Sequence, residues 1–466
     1  MTLLQKHPEI ENFEADRFQL SLSTKEYLEQ IPPGIKLDLQ EFRTNISQPE
    51  SLESAKIEEL FLKLSLTYTP KQFERLQSLF SKAQNRLPID KTLRKKIVPG
   101  LYLDLRNEKE SDNFTEQLNT FVAQVENLPN PKPISFDLEK IGWLPLEIVH
   151  QEASQDYSDP YLKDKIDTIW TLDVTENPGF SIKDVVALEM VTEALKRGDL
   201  NSETIIVEGT SGNTGAGLAI VALHYGLKCV LTIPDKQSQE KINRLRDLGT
   251  HVIVTPTKVE AEDVRSYYSA RDYVTQKVHG WKPNQYHNLD NFRSHQKVTG
   301  PNIWQKTNGE VTAAVICTGT CGTASGVGSY LKKKNPNIKI IGVDTVGSIL
   351  YLLHQGYSLE EVEKYAKSYD LQGFGEDIHP QNLQNEYIDH YIRVSDKTGM
   401  QLTQILPSLG FLGGQSSGSA FAGLLEALTR NILSKKDKAV VIFPDMGFFY
   451  RKDVYNDTWM KNKGYK

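Results

Sequence analysis

The residues Glu208-Gly-Thr-Ser-Gly-Asn-Thr-Gly215 put glycines, hydroxyls and a side-chain amide at a spacing that lets the backbone turn tightly while donors converge on one anion. They follow the apolar run Ile205-Ile-Val207 and precede a helical pattern from Ala216 to Tyr225, so their amides would crown a helix N-terminus, where negative charge is stabilised. That chemistry suits a carboxylate, and Asn213 adds a donor for a phenolate oxygen. The loop Thr318, Gly319, Thr320, Cys321, Gly322, Thr323 repeats the setting after the apolar run Val311 to Cys317. Its small residues are of the kind that wrap a phosphate with N–H groups and threonine hydroxyls. It has neither a Walker lysine nor a full Gly-x-Gly-x-x-Gly, so a nucleotide is the poorer ligand for it. A third cluster, Gly413-Gly-Gln-Ser-Ser-Gly-Ser419, opens a helical pattern from Ala420 to Ile432.

A possible nucleophile lies upstream. Lys183 follows Phe180-Ser-Ile and stands just before the helical pattern Val185 to Leu195. A helix start and a cationic neighbourhood both lower an amine's pKa, which helps a lysine attack an aldehyde and form a Schiff base. Alone, Lys183 reads as a solvated surface lysine, and each glycine cluster alone leaves a capped strand-to-helix connection as the alternative; only their company reverses the reading of Lys183. Together they read as a site for pyridoxal 5'-phosphate, with Lys183 as the amine, Asn213 near the 3'-oxygen and the second loop on the phosphate. Ser416 is the candidate partner of the pyridine nitrogen. A hydroxyl is a poor counterion, so the ring would be a weaker electron sink than one paired with a carboxylate, which favours expulsion of a β-substituent. The pair Cys317-x3-Cys321 has no second ligand pair and points to no metal.

Those loops must be held by strands and helices. From about residue 165, short β-branched runs alternate with amphipathic patterns: 204–207 then 216–225, 229–233 then 238–248, 252–255 then 259–279, 313–317 then 324–334, with further strands at 339–343 and 439–443. This rhythm is that of βαβ units in parallel sheets. Residues 1–135 are rich in Leu, Lys, Glu and Gln, with helical spacing at Lys56 to Leu66 and Lys71 to Arg86. Asn127-Leu-Pro-Asn-Pro-Lys-Pro-Ile134 cannot continue a helix and marks a boundary. We therefore expect a mainly helical extension over 1–135 and an α/β catalytic domain over 136–466.

Bulk properties narrow the partners. A chain of 466 residues can bury more than one core. With 54 Lys plus Arg against 60 acidic residues, the net charge of -6 offers no broad basic surface for nucleic acid or anionic membrane, and a small-molecule partner is expected. Three cysteines, Cys229, Cys317 and Cys321, do not make a disulfide framework and fit the cytoplasm. The N-terminus has no charged-then-apolar signal, and no run of about 18 apolar residues occurs, so neither secretion nor membrane spanning is expected.

Read in order, these motifs resemble the fold-type II pyridoxal-phosphate enzymes of the cysteine synthase and cystathionine β-synthase family. The resemblance runs from about 140 to 460 and rests on Asn177-Pro-Gly-Phe-Ser-Ile-Lys-Asp184, Thr210 to Gly215, Pro234-Asp-Lys-Gln-Ser-Gln-Glu-Lys241, Thr318 to Thr323, Gly342-Val-Asp344, Gly373-Phe-Gly-Glu-Asp377, Gly414 to Ser419 and Phe443-Pro-Asp-Met-Gly447. Gly373 to Asp377 and Tyr455-Asn-Asp-Thr-Trp-Met460 look closest to the cystathionine β-synthase catalytic core. The likeness implies two open twisted parallel-sheet subdomains and a homodimer. It makes Lys183 the residue that holds the cofactor and moves the substrate α-proton. It assigns Thr210, Ser211, Thr214 and Gln285 to the substrate carboxylate, and Gly373 to a flexible loop near the second substrate. The implied reaction is β-replacement: L-serine or an O-activated serine loses its β-group to leave an aminoacrylate, and a thiol or other nucleophile adds. A serine/threonine-type deaminase and a catalytically idle binding protein are the alternatives. Val185, Cys321 and Phe292 depart from the family's usual Arg, Gly and Pro, and Ile141-Gly-Trp-Leu-Pro-Leu146 matches its entry motif loosely. The short stretch after the core leads us to expect no regulatory modules following it. Residues 1–135 contain no Cys and only His7, unlike the family's haem-binding segment.

Overall fold

The structure is a computed structural model that describes residues 22–31, 40, 43, 71, 74, 75, 77, 78, 95–154, 156–260 and 263–466. In chain order its strands are β1 (Tyr102–Asp104), β2 (Leu146–Gln151), β3 (Thr168–Leu172), β4 (Ile206–Gly209), β5 (Cys229–Pro234), β6 (His251–Thr255), β7 (Ala313–Cys317), β8 (Lys339–Thr345), β9 (His390–Val394) and β10 (Lys438–Val441). The principal helices are α1 (Leu22–Gln30), α2 (Ser111–Asn127), α3 (Lys183–Arg197), α4 (Asn213–Tyr225), α5 (Gln239–Asp247), α6 (Tyr267–Lys277), α7 (Gly322–Lys334), α8 (Asp396–Ile405) and α9 (Gln415–Thr429). They fall into two compact units, one of Met1–Asn85, Leu144–Val174 and His295–Lys466, the other of Arg86–Trp143 and Thr175–Ser294.

In the second unit, β1-β6-β5-β4 form a four-stranded parallel sheet. Every residue of β5 and β6 is buried, as expected of strands covered on both faces. The period-2 alternation of a strand then divides their side chains between two cores. Leu231, Ile233, Val252 and Val254 join α3, α4 and α5 in one. Val207, Val230 and Ile253 join α2 and α6 in the other. Residues 102–127 are thus built into this unit: β1 extends the sheet beside β6, and Phe114, Leu118, Phe121 and Val125 of α2 cover one face. The sequence boundary at 135 falls between the contact divisions at 85/86 and 143/144. The helical spacing at Lys56 to Leu66 lies outside the described residues. From Lys71 to Arg86 only positions 71, 74, 75, 77 and 78 are described, and these are helical.

In the first unit, six strands run β2-β3-β10-β7-β8-β9, all pairs parallel except β2 with β3. Val315, Ile341, Val343, Ile392 and Val441 pack with Leu402 of α8 and Phe421, Leu424 and Leu425 of α9. Helix α1 docks on the same core. Tyr27 meets Phe421 edge-on at 5.3 Å and donates its hydroxyl to Asp159 at 3.0 Å, while Ser23 Oγ donates to Glu426 at 3.0 Å.

The α/β alternation expected after residue 165 is present, with small shifts. The helix expected over 259–279 begins at Tyr267, because the Ser266 side chain accepts from Ser269 N and Asp263 closes a turn on Arg265 N just before it. Strands β1, β2, β3 and β9 were not foreseen.

Candidate active site

The candidate residues lie in both units, and each set has its own geometry. In the second unit Lys183 is the first residue of α3, half-buried, with its N–H 3.3 Å from Ser181 Oγ. The turn before it is stiff. Phe180 adopts a left-handed φ of 50°, Asp184 accepts from Gly179 N, and the buried Arg244 guanidinium donates to Gly179 O. Burial pushes the Asp184 carboxyl up to about 7, against the Gly179 amide and the Arg244 charge that favour its anion. Helix α4 crosses α3 closely because position 217 is glycine: a Cβ there would stand 3.0 Å from Lys183 O and 3.0 Å from Ala187 Cβ.

The turn that opens α4 reverses at Gly212, whose φ of 131° is closed to residues with a Cβ. The buried Thr210 hydroxyl oxygen accepts from Gly212 N and Gly215 N, both at 3.0 Å, which leaves its own hydrogen as the donor it can offer a ligand. Asn213 is the first residue of α4 and Ser211 is exposed on the turn. Thr214 Oγ1 donates to Gln285 Oε1 at 2.6 Å, which fixes the orientation of that buried amide. Thr210 is thus held by the turn's own amides, and Thr214 and Gln285 are held by each other. Beneath them Glu208 accepts from Gly209 N at 2.9 Å. Burial raises its pKa, and Arg271, 3.7 Å away, opposes that rise.

In the first unit Thr318 gives both its N–H, at 2.9 Å, and its hydroxyl, at 3.1 Å, to Val343 O. It anchors the loop to β8, and the remaining loop donors belong to Gly319 through Thr323. Cys321 caps α7 with a left-handed φ of 65°, and its thiol donates to Gly319 O at 3.3 Å. Thr320 and Thr323 are buried, 6% and 7% exposed. Gly375 N donates to Thr318 O at 2.7 Å, which ties the Gly373-containing segment to this loop. A Cβ on Gly319 would stand 3.3 Å from Phe374 Cα. Gly373, exposed with a φ of 92°, lies beside Ser416: a Cβ there would be 3.8 Å from Ser416 Oγ. Ser416 is buried in the first turn of α9, and its carbonyl accepts from Cys317 Sγ at 3.1 Å. Amides at a helix N-terminus, two buried threonine hydroxyls and a crowded glycine make a donor set that fits a phosphate monoester. Sequence reasoning gave no role to Arg244 or Glu208. Burial, not motif spacing, sets them apart.

The matched family model, "Pyridoxal-phosphate dependent enzyme", covers residues 160–445. The chain belongs to the fold-type II pyridoxal-phosphate enzymes. Pyridoxal 5'-phosphate is the cofactor of this family. The chain is 36% identical over 295 residues to cystathionine β-synthase of Rattus norvegicus, covering 62% of this chain and 51% of the relative. It is 34% identical over 283 residues to cysteine synthase of Helicobacter pylori, covering 60% and 88%. It thus spans about half the length of the first of these relatives. Among solved structures, a hydrogen sulfide-producing enzyme from Fusobacterium nucleatum matches with a TM-score of 0.59 at 29% identity, covering 69% of this chain and 99% of that one. The O-acetylserine-dependent cystathionine β-synthase of Helicobacter pylori matches at 0.58 and 30%, covering 68% and 97%. Among the described residues no helix is long and apolar enough to cross a membrane, and no group of three or more His, Cys, Asp or Glu could hold a metal.

Proposed function

We propose that this chain catalyses β-replacement on L-serine or an O-activated serine, with a thiol or other nucleophile adding to the β-carbon. The cofactor, when bound, supplies an aldehyde and an electron sink for charge at the substrate Cα. Lys183 holds it and carries the proton taken from Cα. Asn213 bonds its phenolate oxygen, and Gly319 to Thr323 hold its phosphate on the loop that Thr318 anchors. Gln285 and Thr210 offer donors to the substrate carboxylate, with Thr214 orienting the amide and Ser211 completing the turn. Gly373, having no side chain, leaves room for the second substrate.

The observation that carries this reading is the burial of Ser416; its hydroxyl, paired with the pyridine nitrogen, would make a weaker electron sink than a carboxylate. A weak sink favours loss of a β-substituent over reprotonation elsewhere. The Helicobacter pylori relative's use of O-acetylserine makes acetate the leaving group to try first. Purified protein should be incubated with serine, O-acetylserine and O-phosphoserine, each with and without sulfide or homocysteine. Cysteine or cystathionine formed only with thiol supports the proposal, whereas pyruvate formed equally without it supports a deaminase. Lys183→Ala is expected to abolish turnover and borohydride-trapped cofactor, and undiminished turnover in that variant would refute the assignment. Family likeness also supports a homodimer, and the cysteine usage supports a cytoplasmic location, which sedimentation and fractionation would test. Cofactor absent from the purified protein, with full binding activity in Lys183→Ala, would favour the idle binding protein.

A further inference from the structure

Behind the Gly319–Thr323 loop lies a buried hydroxyl–imidazole–hydroxyl chain. His295 and Thr299 occupy a π-helical turn, His295–Thr299, and are 0% and 1% exposed. His295 Nδ1 is 2.9 Å from Thr299 Oγ1, and its Nε2 is 3.0 Å from Thr323 Oγ1. Thr323 is the second residue of α7, so the chain ends in the first turn of the helix that receives the anion. Such π-turns occur often at functional sites.

These partners must agree on which donates. A neutral imidazole has one N–H and one lone pair, and each hydroxyl has one hydrogen. A phosphate dianion only accepts. We propose that Thr299 donates to Nδ1 and that the Nε2–H of His295 donates to Thr323 Oγ1, so that the one hydroxyl hydrogen of Thr323 is aimed into the loop at a phosphate oxygen. With the opposite tautomer, Thr323 gives that hydrogen to Nε2 and turns lone pairs toward the anion. His295 is in this sense a positioning residue, and Thr299 sets its tautomer. The inference rests on the reading that this loop holds the cofactor's phosphate.

The test uses the full chain labelled with ¹⁵N-histidine, the His295 ring resonances being assigned against His295→Asn. The expected result is the Nε2-protonated tautomer with and without cofactor. Thr299→Val should lose that preference and bind pyridoxal 5'-phosphate about tenfold more weakly, the order expected for one hydrogen bond to a charged group. Thr299→Ser should restore both. Thr323→Val should weaken binding as Thr299→Val does, while pyridoxal, which lacks the phosphate, should bind all variants like wild type. An Nδ1-protonated ring in wild type overturns the inference, and so does a Thr299→Val chain whose tautomer changes while its phosphate-dependent affinity does not. If wild type binds neither cofactor form, the functional reading fails by itself. Inorganic phosphate titrated into wild type and Thr299→Val then decides the hydroxyl chain: equal affinities overturn it, and weaker binding by the variant supports it.

Discussion

The two turns that open α4 and α7 reverse the chain in the same place, one residue before the helix, but with different residues. Before α4 the reversal is at Gly212, with φ 131° and ψ -55°, a region closed to side-chain-bearing residues. Before α7 it is at Cys321, with φ 65° and ψ -9°, in the left-handed region that such residues enter at a cost. The first turn therefore demands glycine, whereas the second only prefers it. That is why a cysteine can stand at 321 without the loop losing its shape.

Breaking the stricter turn should have the largest effect. Gly212→Ala is expected to cost about 3 kcal/mol, the upper end for a residue forced into a sparsely populated region, since its Cβ would also stand 3.2 Å from Lys241 Cδ. Urea unfolding measures this, and an unchanged midpoint would remove the distinction between the turns. Next comes Thr210→Val, which strips the acceptor from two amides, Gly212 N and Gly215 N. A loss of about 1–3 kcal/mol is expected if either is left buried without a partner. Val at 210 with native stability would mean that water replaces the hydroxyl.

A third effect depends on pH. Asp184 beside the Lys183 turn has its carboxyl raised from 3.8 to about 7 by burial. The folded chain then keeps a proton that the unfolded chain releases over this interval. The stability from this group is present below about pH 4 and lost as pH rises through about 7. Wild type should lose more stability than Asp184→Asn between pH 5 and pH 8, and parallel curves for the two would contradict the raised value. Asp344 on β8, beneath the other loop, is raised by burial to about 6, so Asp344→Asn should remove a slope that ends at lower pH. The smallest effect is expected from Cys321→Gly. It relieves the left-handed strain but adds backbone freedom to the unfolded chain, for a net gain of about 0.5 kcal/mol. A loss above about 1 kcal/mol would show that the thiol's bond to Gly319 O outweighs the strain.

Much of this was legible in the sequence because the signals are local. The buried runs of β5 and β6, the glycine turns and the helix start at Lys183 each follow from a few adjacent residues, whereas α4, α7 and α9 begin at Asn213, Gly322 and Gln415, ahead of the positions 216, 324 and 420 expected. What was not legible depends on long-range pairing. β1 is three residues long and reads as nothing until β6 lies beside it, and β9 is fixed as a strand by its parallel pairing with β8. The commitment of Thr318 to Val343 and of Thr214 to Gln285 links residues 25 and 71 positions apart, so motif reading ranked these side chains with their neighbours as ligand donors. The His295–Thr323 link spans 28 positions and needed the π-turn to be seen.

The attachment of α1 to α9 bears on how the molecule is made. Ser23 and Glu426 are 403 positions apart, yet they share a hydrogen bond in one core. On a ribosome adding about 5–20 residues per second, the first helix emerges roughly 20–80 seconds before the helix that covers it exists. Through that interval Tyr27 has neither Phe421 nor the rest of its apolar bed, and a chaperone able to hold the nascent amino end would shield it until α9 arrives.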